Sequence, residues 1–266
     1  MNLSISNLAW NMEQNNAVYA LMQKYGFTAL EIAPTKIIAD EPYSHIAEAV
    51  AWAADVREKW GFCVPSMQSI WYGRSEKLFG TEDECTALLE YTESAVDFAA
   101  AIGCKNLVFG CPKNRNIPDG ADSRVCADIA ARFFKELGDY AALRGTAIGM
   151  EANPAIYGTN FVNTTSEAIE LIRAVNSDGF RLNLDVGTMI QNGEQVSVLS
   201  GNATLINHVH ISEPFLKKIE RRKLHNDLLS LLRSENYTDF VSVEMGLQER
   251  VSDIEDVMKY VMEVSK

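Results

Sequence analysis

The chain of 266 residues carries a formal charge of −12, which repels a phosphate backbone and an anionic lipid surface and so argues against nucleic acid or a membrane as its main partner. With 47% hydrophobic and 23% charged residues it can bury a large core, in one big domain or two small ones. Its five cysteines, odd in number and without a CxxC pair, exclude a complete disulfide framework and point to a reducing, cytoplasmic setting; no basic start followed by an apolar run marks a signal peptide, and no stretch approaches the roughly 18 apolar residues of a membrane span.

Short apolar, β-rich runs recur along the chain: NLSISNLAW (2–10), ALEIAP (29–34), CVPSMQS (63–69), NLVFGC (106–111), AIGMEAN (147–153), RLNLDVG (181–187), HVHIS (208–212) and FVSVEMG (240–246). Segments with helical spacing lie between them. Gly103 and Gly145 close two of these, Thr164 and Glu167 offer a capping box for another that Gly179 would stop, and Ser252 with Glu255 would cap the last. Strict alternation of strand and helix implies a parallel sheet with crossover helices. Eight units of about 33 residues match the size of a closed (β/α)8 TIM barrel, typically about 250 residues. The rival, an open doubly wound sheet, usually shows a glycine-rich loop after its first strand, and SNLAWNMEQNN has no glycine. No linker or low-complexity tract interrupts the series, so residues 1–266 are expected to form a single (β/α)8 barrel domain.

Barrel chemistry sits at the carboxyl ends of the strands. The last four runs each place one metal-competent side chain there, Glu151, Asp185, His210 and Glu244, separated by 34, 25 and 34 residues. Taken singly, each has an ordinary explanation: a loop cap, an ion pair or a hydrogen-bonded core histidine. Together, in apolar surroundings, three carboxylates would repel one another, and a divalent cation resolves the conflict. The donor set suits Mn2+, Mg2+, Co2+ or Zn2+, with oxygen-rich ligation favouring the harder ions. His208, one pleat deeper, reads as a core residue or one that orients a ligand through its ring N–H. Glu213, just past the seventh run, reads as a substrate contact or a support for the ligands. Trp10, Trp71 and Tyr72 near strand exits suit the wall of a sugar site or packing at the rim. Lys113, Asn114 and Arg115 in GCPKNRNIPDG suit a substrate phosphate or carboxylate, or else a solvated basic turn. His45 and His225, in helical stretches, read as solvated or satisfied. The segment WYGRSEKLFGTED (71–83) is long and mixed enough for a lid.

With those residues placed, the chain resembles the xylose-isomerase-like TIM barrels, the AP-endonuclease-2-like superfamily of sugar isomerases, ketose 3-epimerases, inosose and dehydroshikimate dehydratases, and endonuclease IV. The resemblance covers nearly the whole chain and is carried by GMEANP, LNLDVGTM, HVHISEP and VSVEMG, which look like the metal-bearing ends of that family's fifth to eighth strands. It implies Glu151, Asp185, His210 and Glu244 as ligands of a divalent metal ion, with Glu151 and Glu244 as base and acid on the two faces of a ketose. The ion would bind the carbonyl and an adjacent hydroxyl and stabilise an enediolate. The implied activity is isomerisation or epimerisation of a carbohydrate, phosphorylated or not, or a polyol. Its alternatives are a metal-dependent dehydratase of the inosose/dehydroshikimate type and a non-catalytic sugar-binding barrel. Three positions depart from the epimerase pattern: Thr188 replaces a histidine, Tyr157 an acidic residue and Leu216 an arginine, so substrate identity does not carry over. Endonuclease IV needs three zinc ions and many histidines, and this chain has four histidines in all. Homo-oligomers are common among such barrels.

Overall fold

In the computed structural model, which describes residues 1–266, the eight expected runs all become parallel strands, each shorter than its sequence run suggests or offset from it by a residue or two. They are β1 (Asn2–Ser6), β2 (Phe27–Glu31), β3 (Ser66–Met67), β4 (Asn106–Phe109), β5 (Ile148–Met150), β6 (Phe180–Asp185), β7 (Ile206–Ile211) and β8 (Phe240–Val243). Two local causes are visible. The Ser6 hydroxyl accepts the Leu8 N–H at 3.3 Å and starts a short 3-10 turn that ends β1, and Pro65, with no N–H to give a ladder, leaves β3 only two paired residues.

The helices follow in strict alternation: α1 (Asn15–Tyr25), α2 (Ile46–Trp60), α3 (Glu82–Ile102), α4 (Ser123–Leu143), α5 (Thr165–Val175), α6 (Val186–Asn192), α7 (Lys223–Ser234) and α8 (Val251–Val264). The sheet order is β2-β1-β8-β7-β6-β5-β4-β3, and two isolated parallel bridges, Ala29 to Cys63 and Ile32 to Met67, join its edges. The result is a nearly closed (β/α)8 TIM barrel.

The capping box at Thr164 and Glu167 forms as expected, and Gly103 caps α3 in the left-handed region. Two expected punctuation marks are corrected. Asn176, at φ 48°, ends α5, while Gly179 serves close packing: a Cβ there would lie 2.1 Å from the Gly138 carbonyl oxygen. Helix α8 starts behind Arg250, which pairs with Asp253; Ser252 lies within the helix and Glu255 is engaged by Lys24 and Tyr25.

Period-two alternation sorts the strands into two layers. Leu3, Ile5, Leu30, Leu107, Phe109, Leu182, Leu184, Val209, Val241 and Val243 belong to the apolar core beneath the helices. The alternate positions, Ser4, Ser6, Glu31, Ser66, Asn106, Asn183, His208, His210 and Ser242, are buried and polar. Branched aliphatic side chains usually fill a barrel of this kind. Here hydrogen-bonding groups do, as in the amide of Asn106, which donates to Ser66 Oγ at 3.0 Å and to Asn183 Oδ1 at 3.2 Å. No helix is long and apolar enough to cross a membrane, and all five cysteines are free thiols.

Candidate active site

The four strand-end residues converge. Asp185 closes β6 and caps α6, its Oδ2 accepting the Thr188 N–H at 2.7 Å and the Thr188 hydroxyl at 2.8 Å, while Oδ1 accepts from Ser212. Glu151 directly follows β5 and accepts from Asn183 Nδ2 at 2.9 Å and Asn153 Nδ2 at 3.0 Å. Glu244 directly follows β8, and His210 pairs in register with Asp185 on one side and Ser242 on the other. His210 Nδ1 lies 3.1 Å from Glu151 Oε1 and 3.2 Å from Glu244 Oε2. One ligand atom from each of the four lies within 4.8 Å of the others. Ligands held about 2.0–2.6 Å from an ion lie up to about 5 Å apart, so three oxygens and one nitrogen in this arrangement fit a divalent cation.

The charges press on one another. Burial pushes Glu244 up to about 7, with His210 opposing and Glu151 and Asp185 adding to the rise. Burial and the Glu151 charge also raise Asp185. For His210, burial favours the neutral ring, but Glu244 and Glu31, with hydrogen bonds to Glu151 and Glu244, together hold it well above the usual imidazole range.

Glu31, at the end of β2, is the functional candidate that the sequence reading missed. It is 0% exposed, and its Oε1 lies 2.9 Å from His210 Nε2, so β2 reaches across the barrel to the histidine on β7. Burial would raise its pKa, but His210 and His208 outweigh that and hold the carboxyl well below the ordinary value. His208 Nε2 is 3.3 Å from the same oxygen but lacks hydrogen-bond alignment, and burial lowers its pKa. His208 thus lies beneath the quartet, beside Glu31.

A cavity of about 250 Å3 opens above the quartet, lined by Glu151, Asp185 and Glu244 together with Gln68, Asn153, Tyr157, Glu213 and Leu216. Glu213 is held by a two-pronged ion pair with Arg222, at 2.7 and 2.6 Å. Other expected contacts lie elsewhere. Trp10 is buried outside this cavity, its indole N–H bonded to Asn15 and its ring edge-on to Tyr19. Lys113 is exposed and absent from the lining. Arg115 is neither solvated nor presented to a ligand: fully buried, it donates to the Glu151 carbonyl at 3.0 Å and to Asn153 Oδ1 at 2.9 Å. Trp71 is buried against Phe109 and Tyr72 is 71% exposed. Segment 71–83 is tied down by buried Leu78 and Phe79 and by the bond from Leu78 N–H to the Asn114 carbonyl at 2.8 Å.

The sequence profile of the xylose isomerase-like TIM barrels matches residues 19–264. Among curated proteins no sequence matches. Among solved structures, 3-keto-D-glucoside 4-epimerase from E. coli superposes with a TM-score of 0.78 at 18% identity over 99% of both chains. D-psicose 3-epimerase from Clostridium cellulolyticum H10, solved with D-tagatose, gives 0.80 at 13% identity over 100% of this chain and 98% of its own. The IOLI protein, solved with a zinc atom, gives 0.69 at 17% identity over 100% and 95%. At these identities the likeness establishes the fold.

Proposed function

The chain belongs to the xylose isomerase-like TIM barrel family, and from that premise we propose that it is a divalent-metal-dependent sugar epimerase or isomerase, with residues 1–266 working as one domain. The observation that carries this reading is the convergence of Glu151, Asp185, His210 and Glu244 within 4.8 Å at the floor of a cavity. The two epimerases and the zinc-holding protein of the same fold support it.

An ion held by the four side chains would supply Lewis-acid polarisation of a carbonyl and its neighbouring hydroxyl. Glu151 and Glu244 stand on the outer strands of the run β8-β7-β6-β5, so they flank whatever sits between them. One removes the proton next to the carbonyl and the other returns it. Thr188 is committed to Asp185 and to the Ala152 carbonyl, so it braces a ligand where the epimerase pattern has a histidine.

The lining also narrows the substrate. It contains Glu151, Asp185, Glu213 and Glu244 but no lysine, arginine or histidine, which disfavours a phosphate or carboxylate and favours an uncharged sugar. The volume, about 250 Å3, lies just below the roughly 300–1,000 Å3 usual for ligand pockets, as suits a small ligand such as a single sugar. Leu216 and Tyr157 give one wall an apolar character, extended outward by Phe215, 60% exposed and edge-on to Tyr157 at 5.5 Å.

Deuterium wash-in from D2O, in the presence of Mn2+, tests the reading on paired panels of free ketoses and their phosphates. Exchange next to the carbonyl of a free ketose is expected. Silence across both panels defeats the proposal, and loss of water with enone absorbance replaces it with a dehydratase.

A further inference from the structure

We propose that Glu31 is a positioning residue: its carboxylate accepts the Nε2 proton of His210 and so fixes the ring with its Nδ1 lone pair turned toward Glu151 and Glu244. This rests on reading the quartet as a metal site. A ring that gives Nδ1 electrons to an ion keeps one proton, and something must hold that proton on the far nitrogen.

With an ion in the quartet, the surroundings on both edges of the ring select the same tautomer; without one, Nδ1 faces the carboxylate oxygens of Glu151 at 3.1 Å and Glu244 at 3.2 Å, which accept a proton from it. At Nε2 stands Glu31 Oε1, 2.9 Å away, a group that accepts hydrogen bonds and gives none while ionised. Donors pin it: the Ser66 hydroxyl bonds Oε1 at 2.7 Å, and the Ser242 hydroxyl bonds Oε2 at 3.0 Å. At the other edge, Asn183 Nδ2 lies 3.3 Å from Nδ1 and donates to Glu151 Oε1 at 2.9 Å. Asn183 is oriented by Asn106, which donates to its Oδ1, so the amide turns its NH2 end to the ring. The opposite tautomer would set an N–H against that NH2 and aim a lone pair at the carboxylate. Both contacts would be repulsive.

Glu31 also does this from the far side of the barrel, outside the cavity lining. Because it does not line the cavity, it acts through His210. Removing a partner of this kind usually lowers metal affinity about 10- to 100-fold.

The test uses the full chain and two readouts besides turnover. Calorimetric titration with Mn2+ is expected to show E31Q binding at least about 10-fold more weakly than wild type. S242A, which leaves the charge and loosens its seat, should show a smaller loss of the same sign and remains informative if E31Q fails to fold. Nitrogen-15 shifts of the His210 ring in Zn2+-treated protein should report Nε2 protonated and Nδ1 bound. Wild-type Mn2+ affinity in both folded variants, or a proton found on Nδ1, would overturn the inference. If wild type takes up no ion but its ring is Nε2-protonated in a way E31Q reverses, the metal reading falls and the control of the ring by Glu31 stands.

Discussion

His210, at the strand ends, and His225, in the seam between α7 and α8, are both 0% exposed, yet in the ion-free protein the pKa of one is raised and that of the other lowered. Burial acts against the imidazolium in both places. Around His210 it is outweighed by Glu244, Glu31 and Glu151, each delivered by a different strand. Around His225 there is one close polar contact, Tyr260 OH at 2.9 Å from Nδ1, while Nε2 has no partner, and the pKa is driven down to about 4. Depth is therefore no mark of chemistry in this molecule. Convergence of like charges from separate strands is, because only an external positive charge or a proton relieves it.

The sharpest way to break the contrast is to take a carboxylate from the His210 side. Glu151→Gln or Glu244→Gln should lower proton exchange by about 10²- to 10⁴-fold, read as deuterium wash-in with Mn2+ and an accepted ketose. Glu244→Gln should leave the ion-free protein no less stable in thermal unfolding, since burial already disfavours the charge on Glu244. Exchange within tenfold of wild type would remove both residues from the proton-transfer role.

The strand-end half of this contrast was legible in the sequence because the repeat length put four donors at equivalent positions, and eight alternating units gave the barrel. Glu31 was not, although ALEIAP ends a strand as the others do. Its partner His210 lies 179 residues away, and the contact depends on which strands face each other across the lumen, which periodicity along one strand does not encode. Trp10 misled because β1 ends at Ser6 and a 3-10 turn intervenes before the tryptophan, which packs against Tyr19. Arg115 misled because a basic turn looks solvated. Here Cys111, at φ 47°, opens the turn that precedes it, and the guanidinium finds buried acceptors.

The neutral side of the contrast has its own signature in acid. With a folded pKa of about 4 against about 6.5 unfolded, His225 binds a proton more readily in the unfolded chain. Above pH 6.5 it costs nothing; as pH falls from 6.5 toward 4 the unfolded state gains the proton, and stability is lost by up to about 3 kcal/mol. Denaturant titrations at pH 7 and pH 4.5 should show His225→Gln losing less stability than wild type over that interval. Equal losses would mean that His225 titrates normally.

Arg115 is the intermediate case and the finest test of the comparison, a buried cation without a carboxylate in contact. Burial lowers its pKa to about 10, so it remains charged at neutral pH, and it meets neutral acceptors: the Glu151 and Val162 carbonyls, Asn153 Oδ1 and the Met150 sulfur. If partners decide the fate of a buried charge, the planar fork matters more than the charge itself. Arg115→Lys keeps the desolvated charge and loses the fork, and should cost about 1.5–3 kcal/mol in denaturant unfolding of the ion-free protein. Arg115→Met strands the same acceptors but also removes the charge, so it should cost less. The order of the two variants carries the argument. Lysine more stable than methionine would show that the positive charge beneath Glu151 stabilises the cluster through space, and would place Arg115 with His210 as part of its electrostatics.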